Sequence, residues 1–151
     1  MTPEDILETP PILLSQEQRR QYFADGFLTI PGAIPIEWIV RLRMLSDQFL
    51  DSSRRFSVSD NVYDLGPRHS PQVPHVRRLK ALVDRHPDFW AFASNSPLTD
   101  IAAGLLGPDV KFHSSKLNYK SPGGGEVVKW HQDVPAWPHT NYSLVTWCAS
   151  R

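Results

Sequence analysis

The spacing of hydrophobic positions changes once along the chain. From Ser15 to about Gly107 apolar residues recur at helical intervals. Ser15 with Gln18 makes a capping-box pattern that opens a helix through "QEQRRQYFADG", and Gly26 should stop it. "FLTI", Phe27 to Ile30, reads as a strand before the Pro31-Gly32 turn. Pro35 suits the first turn of a second helix, with Trp38, Leu42, Leu45 and Phe49 on one core-facing stripe. "HPDFWAFAS" and "SPLTDIAAGLLG" read as two shorter helices, the second with Ser96 as cap, Pro97 as first helical residue and Gly107 as stop. Alternation then takes over. "DVKFHSSKLNYKS" puts Val110, Phe112, Ser114, Lys116 and Asn118 on one face, and Lys111, His113, Ser115, Leu117 and Tyr119 on the other. Neither face is cleanly apolar, the pattern of a strand lining a polar cavity. Pro122 to Gly125 is a loop, "EVVKWHQD" a second strand and "YSLVTWCAS" a third. Helices first and antiparallel-style strands last give an α+β order. Two stretches lack a period. Residues 1–14 read as an irregular, proline-broken leader, and residues 51–78 as a long polar excursion of the kind that is functional or mobile.

Composition narrows the class. The chain has 151 residues, 40% of them hydrophobic, enough for one globular domain with a core. Lys plus Arg equals Asp plus Glu, 16 against 16, so no bulk field recruits nucleic acid or an anionic membrane. The short pairs Arg54-Arg55 and Arg77-Arg78 read as solvated surface. No apolar run approaches the ~20 residues of a membrane span. The first residues carry Glu4, Asp5 and Glu8 where a secretory signal needs positive charge. The single cysteine, Cys148, sits in an apolar run and reads as a buried small hydrophobe; a chain with one cysteine suits a reducing compartment. A cytoplasmic protein is the resulting expectation.

The candidate chemistry is a pair of H-x-D motifs, a pattern that six histidines produce easily by chance. His86-Pro87-Asp88 is explained as a helix start, because Pro87 cannot sit in a central strand and Asp88 would favour the helix dipole. His131 and Asp133 lie in a predicted strand instead, so both point the same way. An imidazole and a carboxylate so placed are two-thirds of the 2-His-1-carboxylate triad of non-haem Fe(II) oxygenases. Spacing alone leaves iron ligation and a solvated strand end both open.

The surroundings of that pair carry more. "SKLNYKSPGGGEVVKWHQD", followed by "PHTN", resembles the phytanoyl-CoA dioxygenase family of Fe(II)- and 2-oxoglutarate-dependent oxygenases, with its S-[KR]-x-N-x-K segment, glycine loop and W-H-x-D. "QYFADGFLTIPGAI" is similar to the family's opening helix, D-G-F turn and first strand, and "IAAGLLGPDV" to the helix and L-G-P turn before its first barrel strand. The resemblance runs from about Ser15 to the end of the chain. It implies N-terminal helices packed on a double-stranded β-helix, a jelly-roll or cupin-like barrel that is incomplete here. It makes His131 and Asp133 iron ligands and Asn118 a hydrogen-bonding partner of 2-oxoglutarate. It also implies that Lys116 meets a carboxylate of cosubstrate or substrate, with Lys120 a weaker candidate on the same face. Trp130 and Trp137 would wall a substrate pocket, although core packing suits either tryptophan as well. His139 in "PHTN" reads as a loop hydrogen-bonding residue, and His113, opposite Lys116 and Asn118, as non-ligating.

The family also uses a distal histidine and an arginine about ten residues beyond it, and neither is found in this sequence. The chain, residues 15–151 above all, therefore reads as the N-terminal part of a truncated oxygenase-like domain, inactive by itself. Completion of the site across a dimer is a further reading, and half a barrel would leave open strand edges that favour self-association. The implied activity is hydroxylation of an aliphatic C–H bond of a small molecule or acyl-CoA, with Fe(II) and 2-oxoglutarate as cofactors. The alternatives are a non-catalytic or truncated binding protein on the same fold, and a zinc hydrolase, for which no H-x-H or C-x-x-C supplies further ligands.

Overall fold

The computed structural model of the chain describes residues 1–120, 129–131 and 145–146. Along them run α1 (Pro3–Glu8), α2 (Gln16–Asp25), α3 (Ile36–Ser52), β1 (Tyr63–Leu65), β2 (Val76–Lys80), α4 (Pro87–Asn95), α5 (Pro97–Leu106) and β3 (Lys116–Asn118), with 3-10 turns at Ser53–Arg55 and Leu82–Asp84. The strands form a three-stranded antiparallel sheet in the order β1-β2-β3. The chain divides into two compact units. One comprises Met1–Ile34, Ala93–Phe112 and Trp130–Arg151, the other Pro35–Phe92 and His113–Lys129.

The first unit is helical. Residues 1–14 are only partly irregular: Thr2 and Asp5 form a capping box, with Thr2 N–H donating to Asp5 Oδ2 at 2.7 Å, and α1 follows with Pro3 in its first turn, while residues 9–14 form neither helix nor strand. Ile6 and Leu14 are fully buried, so the segment belongs to the core. Two prolines in this stretch stop helices from running on, but Pro3 starts one. The Ser15–Gln18 box of α2 forms as the sequence predicts, and Gly26 stops the helix with φ of 79°, a left-handed value that a side chain resists. "FLTI" is not a strand of the sheet. Leu28 and Ile30 pack on the cluster of Leu14, Ile101 and Leu105, joined by Tyr22, Ala33 and Val145. Burial of that alternate pair decides their conformation, without a ladder partner among the described residues.

Arg19 lies at the centre of this unit and is fully buried. Its Nε donates to the Gly104 carbonyl at 3.0 Å, one Nη to the Thr9 carbonyl at 2.9 Å and to Gln16 Oε1 at 3.1 Å, and the other Nη to the Ile6 carbonyl and to Thr9 Oγ1. Gly104 and Ile6 sit in the last turns of α5 and α1, and the Ile6 carbonyl also accepts the Thr9 N–H at 3.1 Å and the Thr9 hydroxyl at 2.7 Å. Burial opposes the charged form and lowers the guanidinium's proton affinity, yet arginine remains cationic at any physiological pH.

The second unit holds α3 and the sheet. On α3, Trp38, Leu42 and Phe49 are half-buried and Leu45 is buried, the predicted stripe. Trp38 meets Phe92 (ring centroids 5.5 Å apart) and Phe49 meets Phe89 (6.0 Å) on α4. Arg41 stacks over Trp38 and pairs with Asp88 in the first turn of α4; this holds the Asp88 carboxyl below the usual carboxylate range. His86 Nδ1 accepts the Asp88 N–H at 3.2 Å, so the second H-x-D motif is a helix start.

Residues 51–78 are corrected most. They contain β1 and most of β2, an antiparallel pair whose strands are too short to show a period in sequence. Val76 and Leu79 are both buried although three apart, which a regular strand forbids. A bulge solves this: Asp64 faces Arg78 but Leu65 faces Val76, leaving Arg77 as the extra residue. Tyr63, Leu65, Val76 and Leu79 then form one core cluster. At Gly66 a Cβ would lie 2.5 Å from the buried His75 ring, so only glycine fits there. Ala81 ends β2 in the left-handed region, φ 51° and ψ 55°, with its N–H on the Ser115 carbonyl at 3.1 Å.

Arg19→Met should lower unfolding free energy by about 3 kcal/mol, because buried carbonyls lose their donors; a denaturant titration reads this out. Ala81→Gly should raise it by roughly 0.5 kcal/mol, since relief of left-handed strain exceeds the added freedom of the unfolded chain. A higher denaturation midpoint with an unchanged slope is the expected result.

Candidate metal and cosubstrate site

Lys116 and Asn118 are placed by β3. Leu117 lies opposite Leu79 of β2 and packs, with Tyr119, on the core cluster, so their neighbours Lys116 and Asn118 must point to the other, exposed side. The sequence places these two residues on one face, and the structure agrees. It differs over length: residues 108–115 are not strand, and the ladder begins at Lys116. Tyr119 fixes the strand from behind. Its hydroxyl donates to the Ser46 carbonyl and lies 2.9 Å from Ser46 Oγ on α3, while its N–H donates to the Arg77 carbonyl. Burial pushes the Tyr119 phenol up, with the bond to Ser46 acting against it.

Around this face lie basic residues, among them the Arg54-Arg55 and Arg77-Arg78 pairs that the sequence assigns to solvated surface. Arg78 stands opposite Asn118 in the register, and its Nε donates to Asn118 Oδ1 at 3.2 Å. Lys80 stands opposite Lys116 and donates to the Asp60 carbonyl at 2.8 Å. Arg77 pairs with Asp64 through Nε at 3.1 Å. Arg54 pairs with Asp51 and also reaches the carbonyls of Pro71 and Gln72. Arg54 and Arg77 thus brace the hairpin, while Arg55 and Arg78 are exposed as the sequence predicts. Only the strand register reveals the partnership of Arg78 with Asn118, and no local pattern encodes it.

The other predicted residues fall differently. His131 and Trp130 are described and exposed, and they belong to the first unit, whereas Lys116, Asn118 and the exposed Lys120 belong to the second. Asp133, Trp137, His139 and Cys148 lie outside the described residues, as do most of the second and third predicted strands. His113 is exposed, with Nδ1 3.1 Å from Ser114 Oγ. Among the described residues no three His, Cys, Asp or Glu side chains converge on a metal position. No described helix is long and apolar enough to cross a membrane.

The family model for phytanoyl-CoA dioxygenase (PhyH) matches residues 22–149. The chain belongs to the phytanoyl-CoA dioxygenase family. It is 26% identical over 133 residues to a probable alpha-ketoglutarate-dependent hypophosphite dioxygenase of Stutzerimonas stutzeri, a match covering 86% of this chain and 45% of that protein. It is 24% identical over 124 residues to an ectoine dioxygenase of Sphingopyxis alaskensis, covering 82% of this chain and 39% of the relative. A second ectoine dioxygenase, from Stutzerimonas stutzeri, is 23% identical over 131 residues, covering 87% and 41%. The chain therefore spans less than half the length of each of these relatives. No solved structure matches it.

The donor types present fit the family's cofactors. The imidazole of His131 and the carboxylate of Asp133 are ligand types that ferrous iron accepts. A lysine ammonium and a carboxamide side by side on β3 suit the oxygens of a keto acid.

Tyr119→Phe should cost about 1 kcal/mol of stability by loosening β3 from α3. Because the phenol is pushed up on folding, wild-type stability is complete below the ordinary tyrosine value of 10.0 and falls as pH rises through the folded-state value. The phenylalanine variant should lose less stability than wild type between neutral and strongly alkaline pH, measured by denaturation at each pH.

Proposed function

We propose that the whole protein is a non-haem Fe(II)- and 2-oxoglutarate-dependent dioxygenase that hydroxylates an aliphatic C–H bond of a small molecule or acyl-CoA. The observation that carries this is the family match over residues 22–149, which encloses His131, Asp133, Lys116 and Asn118. In this reading residues 15–151 form the N-terminal part of a jelly-roll domain, and the three-stranded sheet is its described portion. The relatives named for hypophosphite and ectoine favour a small-molecule substrate over a macromolecule.

His131 and Asp133 would hold the iron. Bound there with 2-oxoglutarate, ferrous iron would activate dioxygen as the oxidant, one oxygen atom going to the C–H bond and the other to succinate with loss of carbon dioxide. The chain's own residues bind and orient. Asn118 would donate through its amide nitrogen to an oxygen of the keto acid, and Lys116 would neutralise a carboxylate, with Lys120 a second cation just beyond the strand. Trp130 and Trp137 would exclude water from the reacting carbon. Both tryptophans have large apolar faces suited to that role.

The test is Asp133→Ala in the protein expressed from its complete reading frame. Release of succinate from 2-oxoglutarate should fall below detection, because the metal loses its charged ligand. Succinate release at the wild-type rate would refute the ligand assignment.

A further inference from the structure

The carboxamide of Asn118 is chemically ambivalent, since it offers an oxygen acceptor at one end and two N–H donors at the other. Its neighbour on β2 removes the ambivalence. Arg78 stands directly opposite in the antiparallel register, and its Nε lies 3.2 Å from Asn118 Oδ1. A guanidinium has only donors, so the amide oxygen must face it whichever way the carboxamide is built. The amide nitrogen is then turned away from Arg78, with two donors directed outward on the exposed face that also bears Lys116.

We propose that Arg78 is a positioning residue that locks the Asn118 carboxamide as a donor-only contact for an oxygen-rich anionic ligand. The inference rests on the reading of Asn118 as a 2-oxoglutarate contact. Without Arg78 the carboxamide can rotate by half a turn at small cost, and the flipped form points its oxygen at the ligand's oxygens, which repels them. The guanidinium thus acts through Asn118, and its positive charge on the same face favours an anion over a neutral ligand.

The test is binding of 2-oxoglutarate by the protein expressed from its complete reading frame, under anaerobic conditions with Mn(II) in place of iron. Arg78→Met should weaken binding about tenfold, the size of a lost charge-assisted orientation, with Tm unchanged. Arg78→Lys, still a donor-only side chain, should restore most of the affinity. Asn118→Ala should weaken binding at least as much as Arg78→Met, and adding Arg78→Met to Asn118→Ala should cost less than about twofold more, the non-additivity of residues acting as a unit. The side-chain amide resonances of Asn118 should move in Arg78→Met and stay in place in Arg78→Lys. The inference alone is overturned if Asn118→Ala weakens binding while Arg78→Met does not. It is equally overturned if Arg78→Met has the same effect with and without Asn118, or if its loss of affinity comes with a lowered Tm that lysine does not restore. Wild-type affinity in Asn118→Ala, or no binding of 2-oxoglutarate by the wild-type protein, overturns both the inference and the reading beneath it.

Discussion

A buried guanidinium with neutral acceptors is the interaction on which the first unit depends. Arg19 donates to carbonyls in the last turns of α1 and α5, together with oxygens of Thr9 and Gln16. The ends of two helices are the negative ends of their backbone dipoles, so a cation can be held among them without a carboxylate. Such an arrangement is only stable when every donor is used, because a buried charge with idle donors would cost several kcal/mol. The geometry of α1, α2 and α5 is therefore set by one side chain, and the apolar cluster of Leu14, Ile101 and Leu105 fills in around it.

The second unit solves a different problem. A short hairpin must bury Val76 and Leu79 together and still present a polar face at β3. The bulge at Arg77 does the first by adding a residue to β2, and strict alternation at Lys116, Leu117 and Asn118 does the second. Packing and chemistry are thus separated by the plane of the sheet: Leu117 and Tyr119 tie the strand to the core, while Asn118 meets Arg78 on the other side.

Much of this was legible in residues with strong local rules. Ser15, Gln18 and Gly26 bracket α2, Ser96, Pro97 and Gly107 bracket α5, and the stripe of α3 lies where its spacing predicts. The shared face of Lys116 and Asn118 followed from a period of two. What the sequence hid depends on partners distant along the chain. α1 looks like a broken leader until Arg19 and Ile6 are seen to need each other, and residues 51–78 look aimless because three- and five-residue strands are too short to show a period. "FLTI" has strand composition, but it has no ladder partner among the described residues. The pairing of Arg78 with Asn118 spans forty residues of sequence and is visible only in the register.

The family match begins at residue 22, three residues after Arg19 and well after Ile6, Thr9 and Leu14. Boundaries drawn by similarity alone would therefore cut through a core rather than beside it. A version of the protein started at that boundary would keep α5 but lose the cation that satisfies its Gly104 carbonyl. Swapping such a piece between family members would then carry the matched domain without the segment that closes it, and poor solubility in a chimera of that kind would reflect a missing internal wall, not an incompatible active site.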